Sequence, residues 1–167
     1  MNLSNKRKAY SSSTGRMAEV RFVRAARSKG LVVTKSTKTE DTKEHIDYWL
    51  TISLTGKRWG VDVKGNNLPD EIWVEFKNVK GDKGWLYGGA NIIAFDIPEE
   101  GGFSIVDREE LAFFCEKHVK DEAVSNKKDA YLKKYTRKDR QDVITMLKLH
   151  DIKNLMSYRV WEYDQRY

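Results

Sequence analysis

Three short runs between residues 47 and 77 alternate apolar with polar side chains, and that period restricts the middle of the chain to β-structure. Tyr48, Leu50, Ile52 and Leu54 alternate with Asp47, Trp49, Thr51 and Ser53. Trp59, Val61 and Val63 alternate with Gly60, Asp62 and Lys64, and Ile72, Val74 and Phe76 with Trp73, Glu75 and Lys77. Successive side chains of an extended strand point to opposite faces. Thr55-Gly56-Lys57 separates the first two runs and predicts a hairpin. One face of the resulting sheet is expected to carry Asp47, Asp62, Lys64, Glu75 and Lys77 together.

The flanking segments fill in the architecture. Residues 1–16 are polar, basic and serine-rich, and read as a disordered tail before a single domain over 17–167. Ala18 to Lys29 has a helical stripe of Val20, Val23 and Ala25–Ala26, stopped at Gly30. A short strand at Leu31-Val32-Val33 leads into a polar loop from Thr34 to Glu44. Beyond the alternating runs, Asn91–Ile97 and Phe103–Val106 read as strands. Asp107 followed by Glu110 resembles a capping arrangement for a helix running to about Lys120, with Leu111, Phe114, Cys115 and His118 on its apolar side. Val143–Leu147 reads as a late strand and Ile152–Tyr158 as a short helix. The order helix, strands, helix, strand implies an α/β fold with a mixed central sheet.

A chain of 167 residues is one domain in size and buries about 70% of its unfolded surface. Five Trp, six Phe and eight Tyr give that core bulk. A lone cysteine, Cys115, excludes an internal disulfide and suits a reducing compartment. No apolar run reaches the ~20 residues a bilayer span needs, and the basic N-terminus lacks the apolar stretch of a secretory signal. The expected location is cytoplasmic, with no membrane partner. The net charge of +6 fits a nucleic-acid partner, since phosphate neutralisation dominates such affinities; it equally fits a merely soluble basic protein.

The chemistry concentrates in Asp47 and in Asp62-Val63-Lys64. Acid-x-Lys occurs four times, at Asp41, Asp62, Glu75 and Asp151, so the tripeptide alone says little. Only the middle two lie in strongly alternating strands, and only Asp62 follows a hairpin partner that begins with an acid. Phosphodiester hydrolysis needs an activated water and relief of charge on the phosphate oxygens. Mg²⁺ (or Mn²⁺) supplies both and prefers carboxylates, waters and phosphate oxygens. Asp47 and Asp62 can offer the carboxylates, the Val63 carbonyl a further ligand, and Lys64 a cation beside the attacking water. The bland alternative is a solvated sheet face carrying alternating charge.

With these residues in place, the chain resembles the PD-(D/E)xK nuclease superfamily, which includes restriction endonucleases and Holliday-junction resolvases. Glu19 looks like its helix acid, Asp47 like its first strand acid, and Asp62-Val63-Lys64 like its tripeptide. The resemblance covers roughly residues 17–106 and implies the family's αβββαβ core, flanked by helices, with Mg²⁺-dependent cleavage of DNA. Two features depart from the pattern: Ile46, not proline, precedes Asp47, and the segment after Lys64 reads as a strand, not a helix. A second register is open, with Asp62 as first acid and Glu75-Phe76-Lys77 as tripeptide. In the favoured register Glu75 is an auxiliary metal or water ligand.

Lys77, Lys133, Lys134, Arg137, Lys138 and Arg140 are candidates to track a nucleic-acid backbone, or else a solvated face. His45 is a candidate metal or phosphate contact, or an inert strand-edge residue. Trp85 and Tyr87, in a glycine-rich run, are either base-stacking platforms or plugs of the core. There is no phosphate-cradling GxxxxGK[ST] and no zinc spacing of Cys and His. Two other functional classes stay open: a nucleic-acid-binding protein without catalysis, and a structural or partner-binding phage protein. A phage origin would place the chain in host cytoplasm. A homodimer would suit an enzyme that cuts both strands.

Overall fold

The computed structural model describes residues 3–65 and 67–165, with side chains in the first helix from Ser13 onward. The described residues build two sheets and three α-helices. Helix α1 (Leu3–Ser28) is followed by strands β1 (Val32–Lys35), β2 (Tyr48–Thr51) and β3 (Arg58–Lys64). Then come β4 (Ile72–Lys77), β5 (Ile92–Ile97), β6 (Gly102–Asp107) and helix α2 (Arg108–His118). Strands β7 (Lys120–Val124), β8 (Lys133–Thr136) and β9 (Val143–Leu147), the short helix α3 (Leu149–Lys153) and β10 (Arg159–Glu162) complete the chain. The larger sheet has the order β1-β2-β3-β5-β6-β10 and the smaller the order β4-β9-β8-β7. In the larger sheet all neighbours are antiparallel except β3 and β5. The α/β class and the mixed sheet expected from the sequence are therefore present.

Period two decides which side of the larger sheet each residue meets. Val61 and Val63 of β3, Leu50 of β2 and Ala94 of β5 face α1, packing on Ala18, Phe22, Ala25 and Ala26. Phe22 anchors this layer between Phe103 (edge-on, 5.4 Å) and Trp161 (stacked, 5.8 Å). The opposite side carries Ile93, Phe95 and Ile97. It is covered by Ile72 and Val74 of β4, Leu147 of β9, Leu111 and Cys115 of α2, and Ile152 of α3. With both sides covered, β3 is buried on both faces, and its polar residue Asp62 is only 3% exposed. Each large side chain so buried contributes about 1.5–3 kcal/mol of transfer free energy.

Local chemistry sets the element ends. Gly30, at φ +76°, ends α1 where a left-handed residue is required, and Gly56, at φ +68°, turns the β2–β3 hairpin. Asp107 caps α2 by accepting from the Glu110 amide. Glu110 does not reach back; its carboxylate accepts instead from the amides of Met156 and Ser157, tying α2 to the chain before β10. Among the described residues no helix is long and apolar enough to cross a membrane.

Several expectations need correction: the late helix is Leu149–Lys153, not Ile152–Tyr158, and Val20 is exposed, the buried stripe of α1 being Ala18, Phe22, Ala25 and Ala26. Helix α1 starts at Leu3, not Ala18, so most of the expected disordered tail is helical (Met1 and Asn2 lie outside the described residues). The segment holds no proline, and a helix nucleated by its packed half extends cheaply one residue at a time. The polar stretch before β2 is not only loop; Glu40–Glu44 forms a wide π-helical turn. Most importantly, β4 does not join β2 and β3. It pairs with β9, from Ile72 opposite Leu147 to Lys77 opposite Val143. Glu75 and Lys77 therefore share no sheet face with Asp62 and Lys64, and among the described residues no α-helix fills the crossover from β3 to β5, only β4 and a 3-10 turn at Trp85–Tyr87, where the αβββαβ pattern has a helix.

Candidate functional site

The end of the β2–β3 hairpin away from Gly56 gathers the acids. The ladder between the two strands stops at Tyr48 opposite Val61, with one more bond from the Asp47 amide to the Val61 carbonyl. There β2 gives way to His45, which is left-handed at φ 54°. The Asp47 carboxylate takes the vacated strand position and accepts from the Val63 amide at 2.7 Å. In a strand the amide and carbonyl of one residue share an edge. The Val63 carbonyl thus points to the same edge as Asp47, past the last paired residue of β2.

Asp62 lies beside this edge, on the side of the sheet away from α1. Lys64 Nζ is 2.7 Å from Asp62 Oδ2. That contact lacks the direction of a hydrogen bond, and the oxygen is otherwise buried without a partner. Burial pushes the Asp62 carboxyl above its ordinary range, opposed first by the Lys64 ammonium and then by Asp47. Asp47 is pushed up to about 7, first by burial and second by the Asp62 charge, with the Val63 amide and Lys64 opposing. Two carboxyls that resist ionising side by side form a site that gains from a compact positive charge.

Glu19 joins from the α1 side through intermediaries. Its Oε2 accepts from Lys35 Nζ at 3.0 Å and from the Tyr48 hydroxyl at 2.9 Å. Lys35 also stands 4.0 Å from Asp47 Oδ1 and 4.4 Å from the Tyr48 ring centroid. Burial and Glu19 raise the Tyr48 hydroxyl pKa. Lys35 and Tyr48 are site residues that sequence reasoning missed. Their only signal is that β1 and β2 are paired, with Lys35 opposite Tyr48. Asp41, on the π-helical turn, is a third; its charge adds to the upward push on Asp62.

The other candidates fall elsewhere. Glu75 stands on β4 and lines a groove of about 400 Å³ with Trp73, Trp85, Lys127, Tyr135 and Arg137. His45 is half-buried, and burial together with Lys64 lowers its pKa. Trp85 is only 6% exposed and belongs to the core, while Tyr87 packs against Phe76 at 6.3 Å. The basic run is no continuous stripe: Lys133 pairs with Glu122 at 2.9 Å and Lys134 with Asp121 at 2.6 Å, both acids on β7. Arg137 pairs with the buried Asp142. Lys138, Arg140 and Lys77 are exposed. Cys115 is buried, and burial pushes its thiol up to about 12, as suits a core residue.

As a metal site, the arrangement offers two carboxylates and one backbone carbonyl. Among the described residues no three His, Cys, Asp or Glu side chains come together as a metal-holding group, so Glu75 does not complete the pair. Two carboxylates with open positions remain compatible with Mg²⁺, which keeps several waters and binds substrate phosphate. No protein-family model matches this chain, and no curated protein or solved structure shows significant similarity to it.

Proposed function

We propose that the protein is a metal-dependent nuclease that hydrolyses phosphodiester bonds in DNA. The observation that carries this reading is the convergence of Asp47, Asp62 and Lys64 at one strand end, with a buried Asp62 oxygen that lacks a directed hydrogen bond. Asp47, Asp62 and the Val63 carbonyl would hold Mg²⁺ or Mn²⁺. When bound, the ion would supply a water of lowered pKa and a counter-charge for the phosphate oxygens. Lys64 would orient the attacking water and offset negative charge as it builds on the phosphate. Lys35 neutralises Glu19 and flanks Asp47, holding the outer carboxylate in position.

The topology supports the same reading. Helix α1 carrying Glu19, then β1, β2 with Asp47 just before it, β3 with Asp62, and β5 returning parallel to β3 follow the chain order of the PD-(D/E)xK core. The crossover departs from it, with β4 in place of a helix. The β4 location also favours the Asp62-Val63-Lys64 register over Glu75-Phe76-Lys77, since Asp62 and Glu75 lie in different sheets.

The test is incubation with supercoiled plasmid, single-stranded DNA and four-way junctions in Mg²⁺, Mn²⁺ or EDTA. Cleavage that needs the metal and is lost in Asp62→Asn and Lys64→Ala is the expected outcome. DNA left intact under every metal condition overturns the proposal, and salt-sensitive binding without cleavage would identify a binding protein on the same scaffold.

A further inference from the structure

The groove beside the acid pair has its own chemistry. Its walls are Trp73 and Glu75 of β4, Tyr135 and Arg137 at the β8 end, Lys127 before β8, and Trp85 from the glycine-rich turn. Its volume of about 400 Å³ falls in the usual range for small-ligand sites, about 300–1,000 Å³. Trp73 and Tyr135 offer aromatic rings to the cleft, with the largely buried Trp85 behind them, beside two cations and a single carboxylate. Trp73 and Tyr135 have ring centroids 5.9 Å apart, tilted by 47°, so they do not stack on each other face to face. Lys127 is steered by Glu71 at 2.6 Å and lies 5.7 Å from the Trp73 ring centroid. Arg137 is oriented by Asp142.

The groove is joined to the acid pair by one side chain. Trp85 lines the groove, and Lys64 Nζ lies 4.9 Å from the centroid of its ring. The same ammonium touches Asp62. Trp85 is fixed edge-on to Phe95 at 6.0 Å. The turn that carries it is clamped to β4, because Gly84 donates to the Phe76 carbonyl and a Cβ there would stand 2.4 Å from the Glu75 carbonyl oxygen. The groove is thus a rigid, aromatic, cation-rimmed cleft one side chain away from the site that would meet a phosphate.

We propose that this groove receives an unpaired nucleobase, so that the protein prefers nucleic acid with a single-stranded segment at the acid pair. Aromatic faces bind unstacked bases of any sequence, and flanking cations accompany the phosphates on either side. A base held in a duplex cannot reach rings recessed in a cleft without leaving its stack. The carboxylate of Glu75 is the one acceptor-only group among these side chains, suited to the amino edge of guanine, adenine or cytosine. The inference deepens the nuclease reading and rests on it for the placement of the phosphate, but base binding itself needs neither metal nor cleavage.

Binding is measured in EDTA, by Trp fluorescence and by anisotropy of labelled oligonucleotides. The probes are a mixed-sequence single strand, its duplex, and the same strand with consecutive abasic positions. The single strand should bind at least about tenfold tighter than the duplex, and the abasic strand should lose most of that advantage. Trp73→Ala and Tyr135→Ala should each weaken single-strand binding by about tenfold, Trp73→Phe should restore it, and circular dichroism should report intact folding in all three. Equal affinity for duplex, single strand and abasic strand overturns the proposal, as does unchanged binding in folded Trp73→Ala and Tyr135→Ala. Base-dependent binding with no cleavage in Mg²⁺ would retain the groove and reject the nuclease. Metal-dependent cleavage indifferent to both ring variants would do the reverse.

Discussion

Asp47 and Asp62 set opposing demands on charge at one strand end. Because Asp47 titrates at about 7 in the folded chain, against an ordinary 3.8, the folded state binds more protons than the unfolded state between those values. The stabilising contribution is complete below pH ~4 and is lost as pH rises through about 7. Thermal melts in EDTA should therefore show wild type losing stability from pH 5 to pH 8, while Asp47→Asn loses less over that window. Lys64 is the counter-charge of a buried acid, so Lys64→Ala should cost about 3 kcal/mol in urea unfolding, and adding Asp62→Asn should recover part of it. An additive double mutant would deny that the two side chains act as a pair. The juxtaposition of Asp47, Asp62 and Lys64 was legible because strand alternation and the Gly56 hairpin fix their relative position within a few residues. Lys35 and Tyr48 were not, since Lys35 reaches the site through the pairing of β1 with β2, across a polar stretch whose path the sequence leaves open.

At the scale of elements, the strongly alternating strands were readable, whereas β7, β8 and β10, and the partners of most strands, were not. Periodicity says which side chains share a face, but a strand paired with a distant segment gives no local sign of it. β4 illustrates this: its alternation was plain, yet its neighbour is β9, far along the chain, and Glu75 moved with it away from the acids. The turn behind Trp85 depends on Gly84, where any side chain would meet β4 backbone. Gly84→Ala should lower stability by roughly 1–3 kcal/mol and disturb the environment of Trp85, seen as a shifted fluorescence maximum. The acids of β7 that pair with Lys133 and Lys134 likewise turn an apparent basic run into ion pairs. Exposed pairs of this sort contribute little, so Lys134→Ala should change stability by less than about 1 kcal/mol.

For the molecule as a whole, a bound dication would link function to stability. If Asp47 and Asp62 hold Mg²⁺, millimolar Mg²⁺ should raise Tm by a few degrees through preferential binding to the folded state, and Asp62→Asn should abolish the rise. The chain also passes back and forth between layers. β1 to β3 lie in the larger sheet, β4 in the smaller, β5 and β6 in the larger, β7 to β9 in the smaller, and β10 in the larger again. Such stitching leaves neither layer a thread of its own to unravel. Heating or urea should dismantle both at once, so that indole emission, drawn from Trp49 and Trp59 on one layer and Trp73 on the other, traces the same curve as backbone ellipticity.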